Sequence, residues 1–241
     1  MRYIKTAAGK VRIKTKALYL GAKRINKEVA EENLRILKKV LDTKGLKTPL
    51  AYGTLLGAIR DHDFITHDED VDLIARGEDK QAFFDTLKEL EAEGFDVVRY
   101  DRRGLLSIMR NGEYIDIYFF DPDKDGLRYC SGCYCPTEFL DDVRLYEFKG
   151  NDYWIPSNYE AFLVFIYGKE WKIPVKYTNY DMSVWKRWLF CIKEHGKELL
   201  PDSVYHCLAK RAARKKELQY VSKLERYRNF IKEQQNSDNA D

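Results

Sequence analysis

The densest group of reactive side chains is the run Asp68-Glu-Asp-Val-Asp72. In a strand, side chains two apart share a face, so Asp70 and Asp72 project together, and Asp68 follows the same parity. Carboxylates crowded at a strand end repel one another unless a cation lies between them. A hard divalent ion with oxygen ligands, Mg²⁺ or Mn²⁺, answers that need. Asp116 is a further carboxylate, alone in the apolar run Tyr114-Ile-Asp-Ile-Tyr-Phe-Phe120. It costs free energy there unless paired or bound to metal. If the strands carrying these residues are neighbours, Asp70, Asp72 and Asp116 form one three-carboxylate catalytic and metal site. The plainer reading, a solvated acidic loop, fits poorly with the Ile, Val and Leu that frame each acidic group.

A second candidate site is Gly53-Thr54, between an apolar run and a helical segment. A glycine lets phosphate approach the backbone, Thr54 supplies a hydroxyl, and a helix N-terminus favours an anion. Arg60 follows that helix and can clamp phosphates with its planar fork, or sit in a surface salt bridge. His62 and His67 flank the acidic run as candidate phosphate ligands or incidental loop residues. Tyr167 and Trp171 can stack on a base or sugar, or pack in the core. A third cluster, Cys130, Cys133 and Cys135, could hold Zn²⁺ with Cys191, His195, His206 or Cys207 as a distant fourth ligand; the plainer reading is reduced cysteines in a loop.

The elements that must position these residues read as follows. Residues 28–44 form an amphipathic helix with Ala30, Leu34, Leu37 and Leu41 on one stripe. Strand character follows at 49–52 and 71–75, with a helix over 79–93. Three more strands are expected at 95–100, 105–110 and 114–120. In the last, Ile115, Ile117 and Phe119 face one way while Asp116 and Tyr118 face the other. A hairpin over 144–155 turns at Gly150-Asn151, and helices are expected at about 157–167, 181–195 and 203–233. The result is an α+β fold: a mixed sheet flanked by helices, with a helical C-terminal portion. Its units are a basic arm, 1–27, a catalytic domain, 28–175, and a helical extension, 176–241.

Hydrophobic residues make up 44% of the chain and charged residues 34%, which excludes a disordered protein. The net charge of +3 is too small to demand a nucleic-acid partner. The first 27 residues, however, hold nine Lys or Arg and no acidic residue. With Lys210, Arg211, Arg214, Lys215 and Lys216, this arm suits an anionic glycan or peripheral contact with the inner membrane face, or is simply solvated. No run approaches the roughly 20 apolar residues of a membrane span. No secretory h-region is present, and five cysteines with three crowded together point to a reducing, cytoplasmic setting.

Gly53-Thr-Leu-Leu-Gly-Ala-Ile-Arg60 followed by Phe64-Ile-Thr-His-Asp-Glu-Asp-Val-Asp72 resembles the signature of the LicD family, which includes bacterial phosphocholine transferases and is related to fukutin-type proteins. Ile155-Pro-Ser-Asn-Tyr-Glu-Ala-Phe-Leu163 with Tyr167-Gly168 and Trp171-Lys-Ile-Pro174 is similar to its C-terminal pattern. The resemblance covers about residues 30–175 and implies a nucleotidyltransferase-type fold with metal carboxylates at Asp70, Asp72 and Asp116. The family's Gly-Ser/Thr junction matches Gly53-Thr54, and with Arg60, His67, Asp68 and Tyr167 these are the candidate donor contacts. The implied reaction moves an alcohol-phosphate, such as phosphocholine or glycerol-phosphate, from a CDP-linked donor to a sugar hydroxyl of a glycan or lipid-linked glycan, releasing CMP. Asp116 is either metal ligand or general base. The chain departs from the family at Thr66-His67, where Pro-Trp is common, at Glu69, often Asp, and at Asp63, usually Gly. Two alternatives stay open: a nucleotidyltransferase that releases pyrophosphate from a nucleoside triphosphate, and a non-catalytic binding module whose carboxylates hold a structural cation.

Overall fold

The computed structural model describes residues 2–14, 16, 18, 24–101, 103–175, 185, 189, 192 and 200–238. Of the helix expected at 181–195 only residues 185, 189 and 192 are described, and the candidate ligands Cys191 and His195 lie outside the described residues. So do the side chains of His206 and of the basic group at 210–216.

The first elements are two short strands, β1 (Tyr3–Thr6) and β2 (Gly9–Arg12), paired antiparallel with Tyr3 opposite Arg12. Residues read as part of a basic arm are therefore folded onto the domain. The reason is alternation: Ile4, Val11 and Ile13 are buried in the main core while the Lys and Arg between them face out. Ile13 bridges Val97, and the Lys14 N–H donates to the Val97 carbonyl at 2.7 Å.

Helix α1 (Lys27–Asp42) starts at Asn26, whose side chain accepts the Val29 N–H at 3.2 Å. Its stripe of Ala30, Leu34, Leu37 and Leu41 is buried, as the period requires. Helix α2 (Tyr52–Leu56) passes directly into a π-helical turn over Gly57–Asp61. Gly57 has no alternative there, since a Cβ would meet the Asp63 carbonyl at 2.4 Å. The run at 49–52 makes only one bridge, Leu50 to Leu73, before the helix begins.

Next come β3 (Val71–Arg76), α3 (Lys80–Ala92), β4 (Asp96–Tyr100), β5 (Leu105–Arg110) and β6 (Glu113–Pro122). They are followed by β7 (Leu127–Cys130), β8 (Cys133–Pro136), a one-turn α4 (Glu138–Asp141), and the hairpin of β9 (Val143–Phe148) and β10 (Asn151–Pro156). That hairpin turns at Lys149-Gly150, both at positive φ, one residue earlier than the sequence suggests. Helices α5 (Tyr159–Tyr167) and α6 (Asp202–Asp238) complete the described chain.

The main sheet is mixed and runs β4-β5-β6-β7-β8, antiparallel throughout, with β3 parallel to β6. One face of β6 shows Ile115, Ile117 and Phe119, all fully buried. Helices α1 and α3 cover that face; the rings of Phe83 and Phe84 meet Phe119 edge-on at 5.4 and 5.8 Å. Each such side chain contributes about 1.5–3 kcal/mol by leaving water. This anchors β6, so the residues of opposite parity, Asp116 and Tyr118, must face the other way. Helix α6 docks on the same body: Tyr227 packs on Phe139 and Phe165, and Lys169 pairs with Glu233 at 2.7 Å. No described helix is long and apolar enough to cross a membrane.

Candidate functional site

Because β3 and β6 run parallel with Asp72 opposite Asp116, two carboxylates stand side by side on adjacent strands. Asp70, one turn of the pleat before Asp72, joins them. The three side chains offer oxygens that all lie within 4.8 Å of one another. Asp72 and Asp116 are buried and Asp70 half-buried.

Burial raises all three carboxyls above the usual range. For Asp70, neighbouring Asp116 and Asp68 push further the same way, and for Asp72 it is Asp70 and Asp68. Burial also raises Asp116, against the opposing pull of Arg99 and Ser107. Among the described residues no cationic side chain forms an ion pair with Asp70 or Asp72. The donor set is all oxygen and highly anionic, so it fits a hard divalent cation such as Mg²⁺ or Mn²⁺.

The corner at Gly53-Thr54 lies against this cluster. The Thr54 hydroxyl accepts the Asp72 N–H at 2.9 Å, the Ala51 N–H donates to the Asp72 carbonyl at 3.0 Å, and the Gly53 N–H donates to the Asp72 carboxylate. Thr54 is thus committed to holding β3, whatever else it contacts. Gly53 is needed for another reason: a Cβ there would lie 2.1 Å from Asp68 Oδ2. Asp68 is therefore seated at the glycine, and burial raises its carboxyl. Tyr52 holds the corner in a left-handed conformation, φ 45°, that non-glycine residues rarely adopt. Its ring meets Tyr118 edge-on at 5.2 Å, and Tyr118 stands two residues from Asp116 on the same face.

The other sequence candidates are placed differently. Arg60 forks onto Asp61 through two contacts of 2.7 Å and lies near Tyr167, so the structure ties it to a neighbour and not to the triad. Tyr167 is exposed at the end of α5, while Trp171 is buried in the main core, the packing role. His67 is exposed beside Asp68, whose carboxyl it pulls down, and His62 terminates the π turn in a left-handed conformation. Asp63 accepts from Lys27 at 2.7 Å and Lys149 at 2.5 Å. It pins the loop leading to Asp68 against α1 and the β9–β10 turn. Partial burial disfavours its charge, but the two ammonium groups outweigh that and hold its pKa at about 2.

The cysteines are not in a loop but in the β7–β8 hairpin, turning at Ser131-Gly132 with Cys130 opposite Cys133. Cys130 and Cys135 are buried and Cys133 is exposed; burial pushes the two buried thiols up. The opposite face of the hairpin carries Tyr129 and Tyr134, and Tyr134 docks on Tyr220 of α6 at 4.7 Å. Among the described residues, the acidic triad is the only group of three ligands that converges, so the zinc reading has no cluster to rest on. Cys207, offered as a fourth ligand, is exposed.

Two residues escaped the sequence reading. Arg99 on β4 and Ser107 on β5 both bond Asp116: Arg99 Nη2 donates to Oδ2 and Ser107 Oγ to Oδ1, each at 2.5 Å. Ser107 is signalled, in retrospect, as a lone hydroxyl in the apolar strand Leu105-Leu-Ser-Ile-Met109. Arg99 is not, because a register shift between Val97 and Arg99 resets the strand's parity.

Residues 45–158 match the model of a nucleotidyltransferase domain. The family is LicD, described as LicD/FKTN/FKRP, and the matched segment contains Gly53, Thr54 and all three carboxylates. That segment is similar to a LicD-type nucleotidyltransferase domain. The uncharacterized protein RT0683 of Rickettsia typhi is 23% identical over 180 residues, covering 73% of this chain and 54% of that protein. The chain thus spans about half the length of the curated relative it matches. Among solved structures, the antibiotic-resistance factor ANT(2'')-Ia aligns with 89% of this chain and 97% of its own, at 12% identity and a TM-score of 0.45. The lincosamide antibiotic adenylyltransferase LnuA, lincomycin-bound, aligns with 66% of this chain and 92% of its own, at 14% identity and a TM-score of 0.41. Likenesses this slight carry no argument about the reaction.

Proposed function

We propose that the chain is a metal-dependent phosphotransferase that moves an alcohol-phosphate from a CDP-linked donor to a sugar hydroxyl of a glycan or lipid-linked glycan, releasing CMP. The observation that carries this reading is the convergence of Asp70, Asp72 and Asp116 within 4.8 Å beside the Gly53-Thr54 corner, inside a segment similar to a LicD-type domain. Asp70, Asp72 and Asp116 would hold Mg²⁺ or Mn²⁺, which when bound would neutralise donor phosphate charge and the charge that develops on the leaving group.

The chain's own residues do the rest by positioning. Thr54 and Gly53 hold Asp72 through its backbone and its carboxylate, fixing β3 relative to α2. The glycine leaves room at the corner for a group approaching the backbone, a space now taken by the Asp68 carboxylate. Tyr52 and Tyr118 form an aromatic wall beside the carboxylates that limits water and can bear on the donor's base or alcohol. Placement at the cytoplasmic membrane face, through the basic residues, belongs to the same proposal.

The test is incubation with a panel of CDP-alcohols, Mg²⁺ or Mn²⁺ and candidate glycans, scoring CMP. CMP release that depends on the acceptor and is lost with Asp72→Asn supports the reading. Pyrophosphate from a nucleoside triphosphate, with no CMP from any CDP-alcohol, would replace it with nucleotidyl transfer. Binding of CDP-alcohols without turnover would leave a binding module.

A further inference from the structure

One register row crosses four strands of the sheet. Arg99 of β4 lies opposite Ser107 of β5, Ser107 opposite Asp116 of β6, and Asp116 opposite Asp72 of β3. A uniform ladder would not produce it. Val97 pairs with Ile108, so Val98 should face Ser107; instead Val98 is the extra residue of a bulge and Arg99 takes the position. Bulges of this kind re-aim a side chain.

The bonds along the row are directional. Arg99 Nε donates to Ser107 Oγ at 2.8 Å, so the Ser107 hydroxyl must send its own proton onward, to Asp116 Oδ1. Arg99 Nη2 donates to Asp116 Oδ2. Both oxygens of Asp116 are therefore held from one side by a closed ring of three bonds, two of them from one planar guanidinium. Charge-assisted bonds of this geometry fix a rotamer strongly. A carboxylate oxygen of Asp116 still lies within 4.8 Å of oxygens from Asp70 and Asp72.

We propose that Arg99, acting with Ser107, is the positioning residue that locks the Asp116 carboxylate in the orientation from which it holds a divalent cation. The inference rests on the metal-site reading above. Partners that orient ligands from outside the coordination sphere typically change metal affinity about 10- to 100-fold when removed.

The test is Mn²⁺ binding, followed by the electron paramagnetic resonance signal of free Mn²⁺ with no nucleotide present. The proteins are wild type, Arg99→Met, Ser107→Ala, Asp116→Asn and the double variants Arg99→Met/Asp116→Asn and Ser107→Ala/Asp116→Asn. Arg99→Met is expected to weaken Mn²⁺ binding about tenfold, and Ser107→Ala by a smaller factor. In the Asp116→Asn background, Arg99→Met is expected to change affinity less than twofold, because its effect passes through Asp116. An equal loss in both backgrounds, or an affinity for Arg99→Met within twofold of wild type, overturns the proposal. Should Arg99→Met fail to fold, Ser107→Ala, which removes a single hydroxyl, takes its place. An affinity for Ser107→Ala equal to wild type, or a loss that persists undiminished in the Asp116→Asn background, then overturns the proposal. Asp116→Asn binding Mn²⁺ like wild type would instead sink the metal site itself, so the two failures are distinguishable.

Discussion

Two groups of metal-competent side chains differ in how the chain delivers them. The cysteines come from one short stretch, Cys130 to Cys135. The carboxylates come from two strands separated by a helix and two further strands. Yet the carboxylates converge and the cysteines do not. The hairpin opposes Cys130 to the exposed Cys133 and turns Cys130 and Cys135 into the body, where they pack as small apolar groups. The acidic group is assembled by register: β3 and β6 run parallel and align Asp72 with Asp116, and the Thr54 and Gly53 bonds hold Asp72 in place. Proximity in sequence counts for little here; opposition across a ladder counts for much.

The contrast can be broken in several ways. The largest effect is expected from the carboxylates. Asp70→Asn, Asp72→Asn or Asp116→Asn should each cut turnover by about 10²–10³-fold or more, measured as CMP release. Cys133→Ser should leave the rate unchanged. Equal losses from both groups would mean the cysteines belong to the site after all.

A second expectation concerns metal removal and pH. The triad carboxyls are raised in the folded state by burial and mutual repulsion. Their contribution is therefore most favourable below the unfolded carboxyl value of about 3.9 and is lost as pH rises towards the folded values. In EDTA, the Tm should fall as pH rises from about 4 towards neutrality. Saturating Mn²⁺ should flatten that fall and raise the Tm. A metal-free Tm that climbs steadily across that interval would contradict it.

Smaller effects are expected at the packing residues. Cys130→Ser and Cys135→Ser each place a hydroxyl in the core and should cost about 1–3 kcal/mol in denaturant unfolding. Cys133→Ser should stay within about 0.5 kcal/mol of wild type. The smallest belongs to Asp63, whose carboxyl is held at about 2 by Lys149 and Lys27 against partial burial. Its stabilisation is present above the unfolded carboxyl value and lost as pH falls towards 2. The pair is about a third exposed, so Asp63→Asn should lower stability only slightly near neutral pH and make no difference at the acid end.

Much of this was legible in the residues. Alternation in Tyr114–Phe120 separates a core face from a functional face, and the structure keeps that split. The periodic stripes of α1 and α3 identify the helices that cover the core face. Two things were not legible, for physical reasons. The Val98 bulge shifts parity by one, so Arg99 reads as pointing away from a site it actually faces. The N-terminal residues carry so much positive charge that net charge masks the period-two pattern of Ile4, Val11 and Ile13, which is what folds them. Arg60 and Tyr167 show a different limit: a motif names residue types, but the Asp61 carboxylate beside Arg60 decides where its guanidinium goes.

The central claim is that three carboxylates from adjacent strands share one divalent ion. Crystals grown with Mn²⁺ and measured at the manganese absorption edge test it directly. The account predicts one strong anomalous peak within about 2.2 Å of an oxygen from each of Asp70, Asp72 and Asp116. A peak that touches none of them, or one that leaves Asp116 bonded only to Arg99 and Ser107, would contradict it.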